Sequence, residues 1–308
     1  MIDWLYSYHL KEFKNKSNKC FVQVGNQLWT IDENDERDDP MKMMDIYWFD
    51  FDESKWKKVD YSGDEQFRST FRFRIHDTFS SDGQSIYLLE AEDDDASSIN
   101  VWKFDTNKLE WSHFLKIEKK LLRGEVVQIH VHQELVYILV TDNDNGVLYS
   151  INRQTEYLQR YGIIDTRMTN FAVFLEYKGI LHIFQYTHNY KRVIFRVDNN
   201  QLVTIHESQP KINETFGSSA WISGNRLYHF YKKGGIYEME LAYFDLDDLI
   251  WGIVELKQQK IRQQFPISFF INDKIYSICE IRREGQYIHV GVDVDRLETR
   301  CLLKIVDI

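Results

Sequence analysis

The stretch VWKFDTNKLEWSHF (101–114) has two close counterparts in the chain, YWFDFDESKWKKV (47–59) and AYFDLDDLIWGIV (242–254). Each begins with apolar and aromatic residues, reaches an Asp, passes through a polar turn and places a Trp six residues after that Asp. A module that recurs along a chain indicates a repeat architecture, in which each copy buries its apolar face against its neighbours. This stretch therefore decides the fold class.

A second marker extends the repeat to six copies. A short apolar strand after a turn carries Trp29, Tyr87, Tyr137, His182, Tyr228 and Tyr276, at spacings of 58, 50, 45, 46 and 48 residues. The third strand of every copy is predicted to end at Asx, namely at Asp50, Asp105, Asn152, Asp198, Asp245 and Asp293. Asx side chains accept a backbone N–H two residues on, so we expect them to stabilise the turn into a fourth strand.

Alternation with a period of two and many β-branched and aromatic residues identify these segments as strands. Six units of four short strands predict an all-β fold, a six-bladed β-propeller of four-stranded antiparallel blades in a single domain over 1–308. The predicted blades are 20–61, 70–116, 126–161, 170–207, 218–256 and 266–306. Either 1–15 or the strand at 301–306 is expected to close the ring, with the other as an extra edge strand, or the last blade has five strands; these alternatives stay open.

The segment from the third to the fourth strand resembles the kelch repeat, in which an aromatic–Asp turn is followed six residues later by Trp. The match is sharpest at Trp56, Trp111 and Trp251. Kelch units usually carry a Gly-Gly pair at the end of the second strand, and here only Gly234–Gly235 stands near that place, in the following loop. The resemblance is thus to a divergent kelch-like propeller, and it implies an adaptor or scaffold, as in ubiquitin ligases or on the cytoskeleton.

Composition narrows the classes of partner. The chain of 308 residues has a net charge of −10, which argues against nucleic acid because phosphates repel such a surface. Its three cysteines lack metal-site spacing, and neither a signal peptide nor an apolar run long enough to span a membrane is found. We expect a protein of the cytoplasm or nucleus with no cofactor, acting alone or as a subunit of a hetero-complex.

Charged loops are the first candidate site. The loops between second and third strands are acidic in the first three units, at 32–40, 90–98 and 142–146, and basic near the corresponding places in the last two. The predicted partner-binding residues are Asp35, Glu36, Asp38, Asp39, Asp93, Asp94, Asp95, Lys257, Lys260, Arg262, Arg282 and Arg283. A dipolar surface of this kind steers and orients a protein or peptide partner. The alternatives are solvated loops and, less well supported by the spacing, a calcium site.

Polar residues on two predicted inner strands are the second candidate site. Arg72, Arg74 and His76 alternate with apolar residues on one strand, as do His130 and His132 on another. These residues are interpreted as channel-wall groups that satisfy one another, with an anion or acidic-peptide site as the alternative and a metal pair as a third.

Two functions follow from these patterns. The first is an intracellular protein-interaction module that binds through charged loops on one propeller face. The alternative is an enzyme or small-anion-binding propeller with its site at the mouth of the central channel. The motifs of common hydrolases, metalloproteases and nucleotide-binding enzymes are missing from the sequence, which favours the first function.

Overall fold

The structure of the chain is a computed structural model. It describes residues 19–33, 44–53, 55–63, 79–90, 97–122, 124–142, 145–165, 172–186, 191–208, 214–233, 238–254, 261–262, 264–271, 274–283 and 286–293. These residues form sheets whose main strands are antiparallel and follow the chain order from one edge to the other, and the two-residue strands at 62–63 and 261–262 are the exceptions. The chain divides into two compact units, and each is described by itself. One unit is Lys16–Thr166, and the other combines Met1–Asn15 with Arg167–Ile308.

The unit Lys16–Thr166 contains three sheets, called blades 1 to 3. Blade 1 consists of β1 (Lys19–Val24), β2 (Gln27–Glu33), β3 (Met44–Asp50) and β4 (Lys55–Val59). Blade 2 consists of β5 (Ser62–Gly63), β6 (Phe79–Ser81), β7 (Ser85–Leu89), β8 (Ser98–Asp105) and β9 (Glu110–Glu118), and a 3₁₀ turn (Lys119–Leu121) follows it. Blade 3 consists of β10 (Glu125–His132), β11 (Leu135–Asp142), β12 (Asn145–Asn152) and β13 (Leu158–Asp165).

The second unit also contains three sheets. Blade 4 consists of β14 (Val173–Tyr177), β15 (Ile180–Tyr186), β16 (Arg192–Asp198) and β17 (Gln201–Ser208). Blade 5 consists of β18 (Glu214–Ser223), β19 (Arg226–Lys233), β20 (Glu238–Asp245), β21 (Ile250–Val254) and β22 (Ile261–Arg262), which pairs with β20 beside β21. The last sheet consists of β23 (Gln264–Ile271), β24 (Lys274–Arg283) and β25 (Gln286–Asp293).

The predicted fold class is confirmed as an all-β propeller with four-stranded antiparallel blades, whereas the predicted number of blades is not. The structure shows five blades rather than six, because the last sheet has three strands among the described residues. Both predicted closing segments, 1–15 and 301–306, lie outside the described residues.

The described residues also include no helix that is long and apolar enough to cross a membrane.

Strand β6 of blade 2 lies next to the turn into β7. The strand that pairs with β7 is Phe79–Ser81, while the predicted strand 70–76 lies outside the described residues. The hairpin between β6 and β7 turns at Asp82, whose Oδ1 accepts the backbone N–H groups of Gln84 and Ser85 at 2.9 and 2.8 Å. This short Asx turn favours pairing of the residues directly before it.

The predicted Asx turns are confirmed in four blades. The Oδ1 atoms of Asp50, Asp105, Asn152 and Asp245 each accept two backbone N–H groups, from the residues two and three positions on, at 3.0–3.1 Å. These backbone donors also lower the pKa of Asp105 and Asp245, since they stabilise the carboxylate. Blade 4 turns differently, through Asn199 and Asn200 with positive φ angles of 47° and 62°, the hairpin geometry that asparagine tolerates.

Blade 2 shows how the sheets pack. On β8, Ile99 and Val101 join an apolar cluster with blade 3, whereas Trp102 and Phe104 join a cluster with blade 1. Both faces of the sheet are therefore buried, as the alternation of side chains along a strand requires. Trp111 of the repeat lies in the cluster with blade 1 and is 1% exposed. The repeat residue thus fills the layer between neighbouring blades.

Candidate functional site

The acidic loops begin and end on well-defined strands. The chain leaves β2 at Glu33 and returns at Met44 in blade 1, and it leaves β7 at Leu89 and returns at Ser98 in blade 2. Since blades 1 to 3 repeat one strand order, these loops leave their sheets at equivalent strand ends. The stems of the loops can therefore be described even where the loops are not.

Most of the predicted site residues lie outside the described residues. These are Asp35, Glu36, Asp38, Asp39, Arg72, Arg74, His76, Asp93, Asp94, Asp95, Lys257 and Lys260. For three more, the structure describes the backbone: Arg262 lies on β22, and Arg282 and Arg283 end β24. The predicted residues whose side chains are described are His130 and His132.

A polar network lies at the stem of the acidic loop of blade 2. The Glu90 carboxylate accepts hydrogen bonds from Asn100 Nδ2 at 2.6 Å and from the indole Nε1 of Trp102 at 3.2 Å. The other end of the Asn100 amide, Oδ1, lies 3.3 Å from His113 Nε2. The His113 ring stands edge-on to Trp102, with the ring centroids 5.4 Å apart. The network links the buried Trp102 to the exposed His113 and fixes the residue at which the loop begins.

Sequence reasoning did not find this network, because its members come from three strands. Glu90 follows β7, Asn100 and Trp102 lie on β8, and His113 lies on β9. The sequence signal that could have indicated the network is the polar Asn100 two residues before Trp102. Side chains two residues apart lie on one face of a strand, so these two can be expected to be neighbours. Hydrogen bonds to a carboxylate are stronger than neutral ones, so this stem is held firmly.

The stem of the first acidic loop is also held by a carboxylate. Asp45, on the strand that follows the loop, pairs with Lys58 Nζ at 2.7 Å and accepts the hydroxyl of Tyr47 at 3.2 Å. Lys58 lies on the adjacent strand β4 and is half-exposed. The stem carboxylates Asp45 and Glu90 of the first two acidic loops thus have partners within their own sheets.

The structure confirms the predicted alternation along β10. Ile129 and Val131 are buried in the cluster with blade 2, and His130 and His132 point to the other face. His130 Nδ1 lies 3.4 Å from the hydroxyl of Ser80 on β6, which accepts the backbone N–H of Val131 at 3.1 Å. Burial, together with the neighbouring His132, lowers the pKa of His130 to about 4, so this imidazole is neutral at pH 7.

A hydroxyl beside a neutral imidazole is the pair that nucleophilic catalysis uses. Here, however, the Ser80 hydroxyl is 6% exposed and already engaged by a backbone N–H of the next blade. The contact therefore ties β6 to β10. In the described part of the chain, no three His, Cys, Asp or Glu side chains lie together as a metal site.

In the second unit, a cluster of aromatic and basic side chains lies between blades 4 and 5. The indole Nε1 of Trp251 donates to His206 Nε2 at 2.7 Å. The guanidinium of Arg192 lies over the rings of Trp251 and Tyr231, 4.8 and 5.1 Å from their centroids. Burial and the charge of Arg192 lower the pKa of His206, which keeps it a hydrogen-bond acceptor.

Next to this cluster, Lys191 Nζ pairs with Glu207 at 2.5 Å, at the point where the chain enters β16 from the loop 187–190. Tyr231 donates its hydroxyl to Glu240 on the neighbouring strand. Both contacts lie at the end of the sheets that carries the second-to-third strand loops. The polar groups of this region therefore serve to fix the strand ends.

Several solved structures resemble the chain in fold. A Trypanosoma rangeli sialidase in complex with 2,3-difluorosialic acid is 11% identical over 91% of this chain and 54% of its own, with a TM-score of 0.54. The SapL1 lectin in complex with alpha methyl fucoside is 9% identical over 88% of this chain and 94% of its own, with a TM-score of 0.54. A Pyrococcus horikoshii acylaminoacyl peptidase is 9% identical over 97% of this chain and 54% of its own, also with a TM-score of 0.54.

These likenesses show the β-propeller fold. The chain spans about half the length of the sialidase and of the peptidase. No model of a known family and no curated protein matches the sequence. Because one fold serves two enzymes and a lectin here, the fold leaves open whether this chain is an enzyme.

Proposed function

We propose that the chain is an intracellular binding module that docks a protein or peptide partner through charged loops on one propeller face, as an adaptor or scaffold subunit. The observation that carries this proposal is the segregation of charge among equivalent loops. The loops at 32–40 and 90–98 are rich in Asp and Glu, whereas Lys232 and Lys233, and Arg282 and Arg283, precede the corresponding loops of the last two sheets.

The stems support this proposal because they are rigid and internally paired. Asp45 is neutralised by Lys58, and Glu90 is held by Asn100 and Trp102. A partner therefore does not have to displace these stem contacts to meet the loops. Binding residues on loops that a rigid scaffold positions are a common arrangement in proteins.

The proposal also draws on the general geometry of propellers, in which the second-to-third strand loops of neighbouring blades share one face. An acidic region and a basic region on that face would orient a partner of complementary charge and accelerate its association. The engaged, buried hydroxyl of Ser80 beside His130 favours binding over catalysis in the described residues.

Two finer features belong to the same proposal. We infer that the repeats are divergent kelch units, on the strength of the Asx turns that precede Trp56, Trp111 and Trp251. We also infer a sixth blade, built on the last sheet β23–β25 and completed by a fourth strand from 1–15 or 301–306.

The test is affinity purification of the full chain with the charge of one loop reversed. Asp93, Asp94 and Asp95 are changed together to Lys, and the recovery of a stoichiometric partner is compared with that of the unmodified chain. We expect the partner to be lost, because three charges change sign within one loop and the net charge of the loop rises by six units. Raising the salt concentration should weaken the wild-type complex in the same direction.

A matched control reverses three exposed carboxylates at the opposite strand ends, namely Asp52, Glu134 and Asp248. This variant carries the same change in net charge, so it separates the loop from a general charge effect. Undiminished recovery by the Asp93–Asp95 variant, or equal loss by the control, would contradict the assignment to the acidic loop.

A further inference from the structure

Two turns of the repeat have a leucine with a positive φ angle at the same position. Leu109 and Leu249 both follow an Asx turn and adopt left-handed backbone conformations, with φ of 55° and 57°. In both turns the backbone N–H of the leucine donates a hydrogen bond to the backbone carbonyl of the Asx residue at 2.8 Å. The Trp two residues later pairs with a Phe of the third strand in both blades. The outer strands β9 and β21 are therefore equivalent residue by residue.

In blade 2 this place is covered by a short segment of the chain. Strand β5 lies parallel to β9, with Ser62 beside Glu110 and Gly63 beside Trp111. The backbone N–H of Ser62 donates to the carbonyl of Leu109 at 3.0 Å. The preceding Tyr61 packs against the same apolar cluster, 6.2 Å from Phe104 between ring centroids.

In blade 5 none of the described strands covers the equivalent place. Leu249 is 44% exposed, Ile250 56% and Ile253 54%. Among the described strands, none pairs with the outer edge of β21, since β22 pairs with β20. The outer edge of β21 thus presents its backbone donors and acceptors together with large apolar side chains.

Strand β21 carries no charged side chain, whereas the other outer strands do, including β9, where Glu110 lies beside Ser62 of β5. Strand β4 has three lysines in KWKKV, β13 has Arg160 and β17 has Glu207. Strand β21 reads IWGIV. Charged side chains, lysine above all, are the usual protection of an exposed edge, and an apolar edge without them invites another strand.

We infer that the outer edge of β21 is a docking site for an extended segment of a partner protein, which adds a short parallel strand as β5 does on β9. The chemistry of the segment is given by that internal precedent: an aromatic residue, a small polar residue, then glycine. Glycine is needed opposite the Trp, because a Cβ at Gly63 would stand 2.8 Å from the Cβ of Trp111. The site goes beyond the proposed function, since it lies on an outer strand and uses none of the charged loops.

The experiment titrates the full chain into a fluorescently labelled peptide that copies residues 59–66, VDYSGDEQ, and follows anisotropy. We expect saturable binding, and a loss of affinity of tenfold or more for the Ile250→Lys variant, because lysine at an edge opposes strand addition. A peptide with Gly63→Val should lose binding to the unmodified chain to the same degree. The matched control is Val203→Lys, which puts the same charge at an exposed apolar position on β17.

Circular dichroism establishes whether the protein variants are folded. If the Ile250→Lys variant is unfolded, the Gly63→Val peptide still tests the inference, because it is measured against the unmodified chain. Failure of the peptide to saturate, or equal affinity for the glycine and valine peptides, would overturn the inference. A concentration-dependent dimer that Ile250→Lys abolishes would assign the edge to a second copy of the chain and would overturn it too. Because the Asp93–Asp95 variant should bind the peptide normally, the two proposals can fail separately.

Discussion

The indole of Trp251 on β21 donates a 2.7 Å hydrogen bond to Nε2 of His206 on β17, so that blade 5 is joined to blade 4 by two side chains 45 residues apart. His206 also packs against Phe244, with 4.7 Å between the ring centroids. The repeat Trp therefore adds a specific polar contact to its apolar role in this blade.

The contact between Trp251 and His206 should appear as a coupling energy. We expect Trp251→Phe and His206→Leu each to lower the free energy of unfolding by roughly 1–3 kcal/mol, through lost packing and the lost hydrogen bond. The double variant should lose less than the sum, by about 0.5 kcal/mol or more. Urea denaturation of the four proteins measures the cycle, and strictly additive losses would contradict a direct contact.

Acid should destabilise the protein through His130. Its pKa is held at about 4 in the folded state, whereas a free histidine titrates near 6.5. The unfolded chain therefore takes up the proton first, so the stabilising contribution is complete above pH 6.5 and is lost as the pH falls towards 4. The slope for this one group is up to about 1.4 kcal/mol per pH unit.

The His130→Leu variant should reduce this slope in thermal unfolding between pH 7 and pH 4.5. A residual slope should remain, because burial also lowers the pKa of His182 and His206. Parallel curves for His130→Leu and the unmodified chain would show that His130 is already solvated in the folded state.

The stability of the Asx turn at Asp105 should depend on the hydrogen-bond acceptor of its side chain and not on the negative charge. We expect Asp105→Ala to cost about 1–2 kcal/mol, since two backbone N–H donors lose their acceptor. Asp105→Asn should cost less than about 0.5 kcal/mol, because Asn152 makes the same two bonds at 3.0 Å in blade 3. Chemical denaturation of the pair measures the difference, and equal losses would refute this account of the turn.

Gly124 should not tolerate a side chain. Its φ is +127°, and a Cβ would stand 2.1 Å from the carbonyl oxygen of Thr141, so Gly124→Ala must move the backbone. We expect a loss of about 2 kcal/mol or more. Gly83 is the matched control: its φ is +85° with nothing within 4 Å of the added Cβ, so Gly83→Ala should cost only the strain of about 1–2 kcal/mol. Melting temperatures of the two variants in the same buffer test the order.

Much of the fold could be predicted because its signals are local. All six third strands end at the predicted Asx residues, from Asp50 to Asp293. In four of them an Asx turn follows, which is specified within four residues. The interblade role of Trp111 followed from its regular place in the repeat. The pairing of Phe79–Ser81 with β7 was harder to predict, because these three residues show little alternation and only the turn at Asp82 marks their place.

The sites were less predictable, because they depend on pairing between strands distant in sequence. The alternation along β10 placed His130 and His132 on one face, but not the hydroxyl of Ser80 beside His130, 50 residues earlier. Likewise, Glu90 belonged to an acidic run in the sequence, and only the registers of the strands bring Asn100 to Glu90 and His113 to Asn100.

The sharing of blade 2 between two apolar clusters bears on synthesis of the chain. Blade 1 ends at Val59, yet its cluster is completed only by Trp111. At translation rates of 5–20 residues per second, that residue is added about 3–10 s after blade 1 is finished. Until then the apolar face of the nascent first sheet cannot be fully covered by blade 2, and a chaperone that binds apolar surface would act at this stage.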